Sequence, residues 1–174
     1  PAKDKGVAFL KRGKEVWNWV PTLERSIKLP PSMMSQSWMG TDFTNDDLVK
    51  ESSMIEDYEH TLMADTVIRG MTCYKIQMIP KPETAVVWGK LFMYVDKMHF
   101  VEVHVKFFDE DNVLVNIMNS LEIAMMGGRM IPTRVEMIPM DKKNQKTEIV
   151  YRNLVFDKPI ADTFFTLQQM KTLR

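Results

Sequence analysis

Short stretches of alternating apolar and polar residues, cut by Gly, Pro, Asn and Asp, fill most of the chain, and a period of two predicts strands. Residues 6–11 and 15–20 predict a hairpin across Arg12-Gly13-Lys14; Pro21 closes its second strand, and residues 24–29 predict a third. The stretch 31–53 differs in kind. It has no sustained alternation and is rich in Ser, Asp and Met. Within it Thr44 and Asp47 have the spacing of a capping box, with Asp in place of Glu, so a short helix is expected over 45–50 inside a long ordered loop. Strands return at 55–65, 71–79, 85–95, 99–108, 113–125, 130–140 and 145–156, with turns at 66–70, 96–98, 109–112, Gly127-Gly128 and 141–144. Residues 161–170 predict a helical turn and an ordered end.

About ten strands joined mostly by short turns, without βαβ alternation, predict a mainly β, antiparallel meander. Several strands exceed the usual five or six residues, which favours a barrel or strongly curved sheet over a compact sandwich. Side-chain parity then divides the faces. Val101, Val103, Val105 and Phe107 share one side of their strand, and Glu102, His104 and Lys106 the other, a half-buried strand with a wet back. Other strands are apolar on both sides. Val16 and Val20 back onto Trp17 and Trp19, while Val87, Leu91, Met93 and Val95 back onto Val86, Trp88, Phe92 and Tyr94. Such strands need cover twice over. The loop residues Met33, Met34, Trp38, Met39 and Phe43 are candidates for the covering layer.

Composition sharpens this picture at one point. Sixteen Met residues stand in a chain of 174, and the unbranched, polarisable thioether fills irregular space and adapts to varied shapes. A Met- and Trp-rich flap over a β surface suits an adaptable apolar cavity; an ordinary solid core is the alternative, and the pattern leaves both open. Charge is balanced, 23 basic against 23 acidic residues, with no Lys/Arg run longer than a pair, so no nucleic-acid partner is expected. The single Cys73 reads as a small core hydrophobe. There is no stretch of 18 apolar residues to span a membrane as a helix. Pro1-Ala2-Lys3-Asp4-Lys5 lacks the apolar run of a signal peptide, and a start on Pro is expected of a processed product or a fragment.

Chemistry is sparse. His60, His99 and His104 are far apart or expected on opposite faces of one strand, so no shared metal is predicted. Asp42, Asp46 and Asp47 lack the Gly and the distal Glu of a calcium loop, and helix capping explains them better. None of the phosphate-binding, dinucleotide, nucleophile-elbow or zinc-protease motifs occurs. No enzyme, cofactor or metal is predicted.

Longer runs carry a resemblance. Phe9 to Pro21 (FLKRGKEVWNWVP), Ile27 to Met34 (IKLPPSMM) and Gln36 to Leu48 (QSWMGTDFTNDDL) resemble the outer-membrane lipoprotein-sorting protein family, which is similar to the periplasmic carriers LolA and LolB. Gly70-Met71-Thr72-Cys73-Tyr74, Pro80-Lys81-Pro82, Tyr94-Val95-Asp96-Lys97, Pro132-Thr133-Arg134-Val135-Glu136 and Phe164-Phe165-Thr166 fit as well. The likeness covers essentially the whole chain, and Trp38 to Leu48 is its most specific part.

The resemblance implies a single domain, an unclosed, half-open β-barrel around a hydrophobic cavity, with the short helix and loop as lid. It also implies an exported, periplasmic protein whose signal peptide, N-terminal helix and early strands would precede this chain. An edge bared by their loss is expected to pair with another copy. The implied function is carriage of lipid or lipoprotein acyl chains toward the outer membrane, with an inner-membrane transporter as a further partner. The expected cavity or flap residues are Trp17, Trp19, Met33, Met34, Trp38, Phe43, Trp88, Phe92 and Tyr94. In the loop, Trp38 and Phe43 are expected to anchor the flap, Gly40 to permit a tight turn, and Asp42 or Thr44 to cap the helix. The other reading is a solid-cored interaction module whose apolar flap docks on a transporter or an outer-membrane assembly.

Overall fold

The computed structural model describes residues 4–13, 15–49, 53–82 and 84–172. The expected turn at Lys14, the far end of the 45–50 helix and the reading of the first three residues lie outside them. Eleven antiparallel strands form two sheets among the described residues. The smaller holds β1 (Ala8–Arg12), β2 (Glu15–Val20) and β3 (Arg25–Lys28) in sequence order. Eight strands make the larger: β4 (Tyr58–Leu62), β5 (Thr66–Ile68), β6 (Met71–Pro80), β7 (Lys90–Asp96), β8 (Glu102–Phe108), β9 (Leu114–Met126), β10 (Arg129–Pro139) and β11 (Thr147–Val150). They pair as a meander, with β4 and β5 sharing the same side of β6. The sheet does not close on itself among the described residues. The mainly β, unclosed architecture is as expected.

Several boundaries move. Residues 53–56 (Ser53–Glu56) form helix α2 rather than the head of a strand, and Thr66–Ile68 is a strand where a turn was expected. Only Arg69 and Gly70 make that turn. β7 begins at Lys90, five residues later than the alternation suggests, because 85–89 leaves the ladder to cover the core. The last strand stops at Val150; 151–157 runs on as an extended strap without a ladder, held by Tyr151 N–H donating to Thr133 O and by Arg129 on Asp157. Gly127 lets the strap pass closely, since a Cβ there would stand 2.7 Å from Leu154 O.

Four extra residues interrupt the ladders, one of them Val115 in β9, and the other three account for what parity missed. Tyr94 faces His104 but Val95 faces Glu102, so Val103 is an extra residue in β8. Val101 and Val103 therefore change sides relative to Val105 and Phe107. All four are buried, as expected, yet they belong to two cores. The first core holds Met78, Leu91, Val105, Phe107 and Met137 under Phe43, Tyr58 and Trp88. The second holds Cys73, Tyr94, Val101 and Val103, with Ile68, Met71, Ile123 and Met130 against them. Thr133 in β10 and Leu121 in β9 are a matched pair of extra residues that bend the two longest strands.

The bend shows in one hydrogen bond. Arg69, at the β5–β6 turn, donates from Nη1 to Ser120 O on β9 at 3.0 Å. In a flat sheet those strands would lie four spacings apart, about 19 Å, beyond an arginine's reach. The sheet rolls over its second face. The back of β8 is accordingly half-buried rather than wet: His104 Nδ1 and Asn119 Oδ1 lie 2.8 Å apart, and Asn119 Nδ2 donates to Glu136 Oε1 at 3.0 Å. Burial pulls the His104 imidazolium below its ordinary pKa, opposed by the Asn119 hydrogen bond.

The small sheet is covered twice. Ala8, Leu10, Trp17 and Trp19 pack against Leu167 and Met170 of the last helix, α3 (Leu167–Met170). Phe9, Val16 and Leu29 on the opposite side meet Met33, Met34 and Val87. Its two apolar faces thus find two separate partners, as the sequence demanded.

Candidate functional site

Between the small sheet and the first core lies the flap, 31–49, ending in α1 (Asn45–Val49). It holds its own shape. The α1 entry is a capping box: Asp47 N–H donates to Thr44 Oγ1 at 3.1 Å and Thr44 N–H to Asp47 Oδ2 at 2.8 Å. Gly40, at φ 75, follows Met39 at φ 51 in the tight turn expected there. Trp38 N–H donates to Phe43 O, and Asn45 Nδ2 to Met33 O, tying both ends of the loop together.

Asp42 fastens the flap to the sheet. It does not cap α1. Its side chain is buried and accepts from Thr147 Oγ1 at 2.7 Å and Gln145 Nε2 at 2.9 Å, with Lys142 Nζ at 3.4 Å; its own N–H donates to Thr147 Oγ1. A second tie runs to the 85–89 segment, where Trp88 Nε1 donates to Asp47 Oδ1 at 2.8 Å. Burial raises the Asp47 pKa, opposed by the hydrogen bonds from Thr44 and Trp88. Tyr58 donates to Trp88 O, and burial, followed by the charges of Asp46 and Asp47, holds its phenol protonated far beyond the usual range.

A cavity of about 260 Å³ opens where the flap meets the 85–87 segment. Pro31, Met34, Ala85, Val86 and Val87 line it together with Ser35 and Glu110, and about half of its surface is polar. It falls just below the roughly 300–1,000 Å³ of small-molecule pockets.

The nine expected residues divide among five places. Met34 lines this cavity and Met33 packs beside it. Phe43 and Trp88 are buried together in the first core. Trp17 and Trp19 face α3, on the far side of the small sheet. Trp38 lies half-buried against Phe9, ring centroids 6.2 Å apart. Phe92 and Tyr94 belong to the second face, Phe92 edge-on to Phe108 and Tyr94 against His104. Sequence reasoning read Asp47 as part of the α1 cap but missed its tie to Trp88, and it missed the roles of Asp42 and Glu110. A buried tie across 105 residues leaves no local signal. Among the described residues no group of three His, Cys, Asp or Glu is placed to hold a metal.

The class is set by this arrangement, an open antiparallel β fold with a loop-and-helix lid, and known structures share it. A DUF1329 family protein from Desulfovibrio piger superposes with a TM-score of 0.88 at 19% identity, covering 100% of this chain and 73% of its own. A domain from Vibrio parahaemolyticus, described provisionally as an outer membrane lipoprotein-sorting protein domain, gives 0.86 at 21% identity over 98% of this chain and 74% of its own. The LolA superfamily protein NE2245 from Nitrosomonas europaea gives 0.72 at 21% identity over 97% and 73%. The fold read from the flap motif is the fold observed. A family model described as an uncharacterized protein matches residues 1–172, and the chain belongs to that family. No curated protein matches it in sequence.

Proposed function

We propose that this protein is a periplasmic carrier that shelters lipid or lipoprotein acyl chains and moves them toward the outer membrane, without chemistry on its cargo. The observation that carries this reading is a cover that lies outside the sheet. The first face of the large sheet is closed by a separate Met-bearing loop, fastened by polar contacts centred on Asp42, with a cavity already open at its margin. Each buried methylene contributes about 0.8 kcal/mol, so a groove that widens when the loop lifts gains affinity from area alone. The fold shared with the LolA superfamily protein and the sorting domain supports the same reading.

Protein recovered from the periplasm should carry lipid visible by mass spectrometry, and stripped protein should bind a fluorescent fatty acid. Absence of both results rejects the carrier. Met34→Glu, which places a charge in the groove, should abolish binding.

A second reading has one observation in its favour. The strap and the chain after it expose Tyr151, Val155, Ile160, Phe164 and Phe165, a surface suited to docking on an inner-membrane transporter or an outer-membrane assembly. A solid-cored module of that kind would bind its partner and no lipid. Self-association through an open sheet edge belongs to either reading, and light scattering showing a strict monomer at high concentration rejects it.

A further inference from the structure

The cavity at the flap margin has apolar side chains from Met34, Ala85, Val86 and Val87 on a surface that is about half polar, with the Glu110 carboxylate among its lining groups. Glu110 stands there because the β8–β9 turn presses onto the 85–89 segment. A Cβ on Gly89 would lie 2.5 Å from Asp109 O and 2.8 Å from Glu110 Cα, so only glycine admits the approach. Asp109 and Asp111 flank it in the same turn, and the Asp109 carboxylate is turned inward to accept from Asp111 N–H and Val113 N–H. Behind these side chains the carboxylates of Asp46 and Asp47 add to the same sign; Asp46 N–H donates to Met34 O, and Asp47 is held by Trp88. The nearby cation, Lys90, is occupied elsewhere. It bonds Asn112 Oδ1 and lies 4.7 Å over the Phe108 ring, pointing with Phe92 to the second face. Among the described residues neither Lys nor Arg lines the cavity.

We infer that this site selects an amphiphile whose apolar chain enters between Met34 and Val87 and whose head group carries an ammonium that meets Glu110, in preference to one bearing a carboxylate or phosphate alone. The inference rests on the carrier reading and specifies its ligand. A fatty acid brought to this mouth would set its carboxylate against Glu110, and a like-charge contact at a half-shielded rim costs what the opposite contact gains. The volume accommodates part of one chain rather than several, so the head group remains at the rim beside Glu110 rather than being drawn inside.

The test is calorimetric titration of the full chain, at neutral pH and below micelle formation, with three amphiphiles of equal chain length: a decyl trimethylammonium, a decyl maltoside and decanoate. The ammonium should bind about fivefold more tightly than the neutral ligand, the ceiling for an exposed ion pair, and decanoate more weakly than either. Glu110→Gln, an exposed substitution that leaves the packing alone, should bring the ammonium and the maltoside together. One molar salt, with a screening length of about 3 Å, should do the same to the unaltered protein. Equal binding of all three, or a preference that survives in Glu110→Gln, overturns the head-group inference and leaves the carrier intact. Binding of none overturns both.

Discussion

The two faces of the large sheet are closed in opposite ways. The second face is closed by the sheet itself, which rolls until Arg69 of one hairpin reaches Ser120 four strands away, over a core of Cys73, Tyr94, Val101 and Val103. The first face is covered by a piece of chain that is not part of the sheet, seated through Phe43 and Met34 and tied by hydrogen bonds to Asp42 and from Trp88 to Asp47. A rolled sheet opens only by unfolding. A fastened loop opens when its fastening is released. On the proposed carrier reading, the first face is the one that opens.

Mutations can separate the two. The largest loss should come from Phe107→Ala, which empties a site at the sheet's own contribution to the first core: about 3–5 kcal/mol in urea unfolding. Asp42→Ala should cost less, about 0.5–1.5 kcal/mol for hydrogen bonds lost from donors that water can reach, and its signature should be local. Hydrogen exchange should quicken over 31–49 while β6 to β8 remain protected, and fatty-acid uptake should accelerate. If Asp42→Ala instead exposes both faces at once, they form one cooperative unit and the contrast fails.

Thr44→Ala removes the cap of α1 and should cost about 1 kcal/mol, again confined to the flap. The smallest effect concerns the second face. The folded state holds His104 below its unfolded pKa, so the unfolded chain binds the extra proton. Stability from this group is complete above about pH 6.5 and is lost as pH falls from there through the depressed folded value. Unfolding midpoints at pH 7.5 and 5.5 should therefore differ more for the native protein than for His104→Gln.

Much of this was legible in the sequence, for a physical reason: alternation reports which residues face an apolar side. The meander, the three-stranded N-terminal unit, the Thr44–Asp47 cap and the double cover required by Trp17, Trp19, Val16 and Val20 all follow from local pattern. The bulge at Val103 does not. Four alternating residues, Val101 to Phe107, read as one face, and nothing in their identity marks the extra residue that sends the first pair to another core. The strap at 151–157 keeps the composition of a strand but loses its neighbour, and composition cannot report a missing neighbour. The candidate site was visible as a flap but not as a mouth. Aromatic and Met content marked 31–43, whereas Glu110 belongs to a turn that looks only solvated until Gly89 draws it in.

The Asp42 tie also sets an order of assembly. Its partners Gln145 and Thr147 lie 103 and 105 residues further along. The meander between them is built from neighbour-to-neighbour hairpins, which close quickly, whereas long closures come late. Met33 and Met34 pack on Phe9, Val16 and Leu29, which lie close in sequence, so the flap can settle on the small sheet before the Asp42 tie forms. The flap is thus seated on apolar neighbours first and fastened by polar ones afterwards.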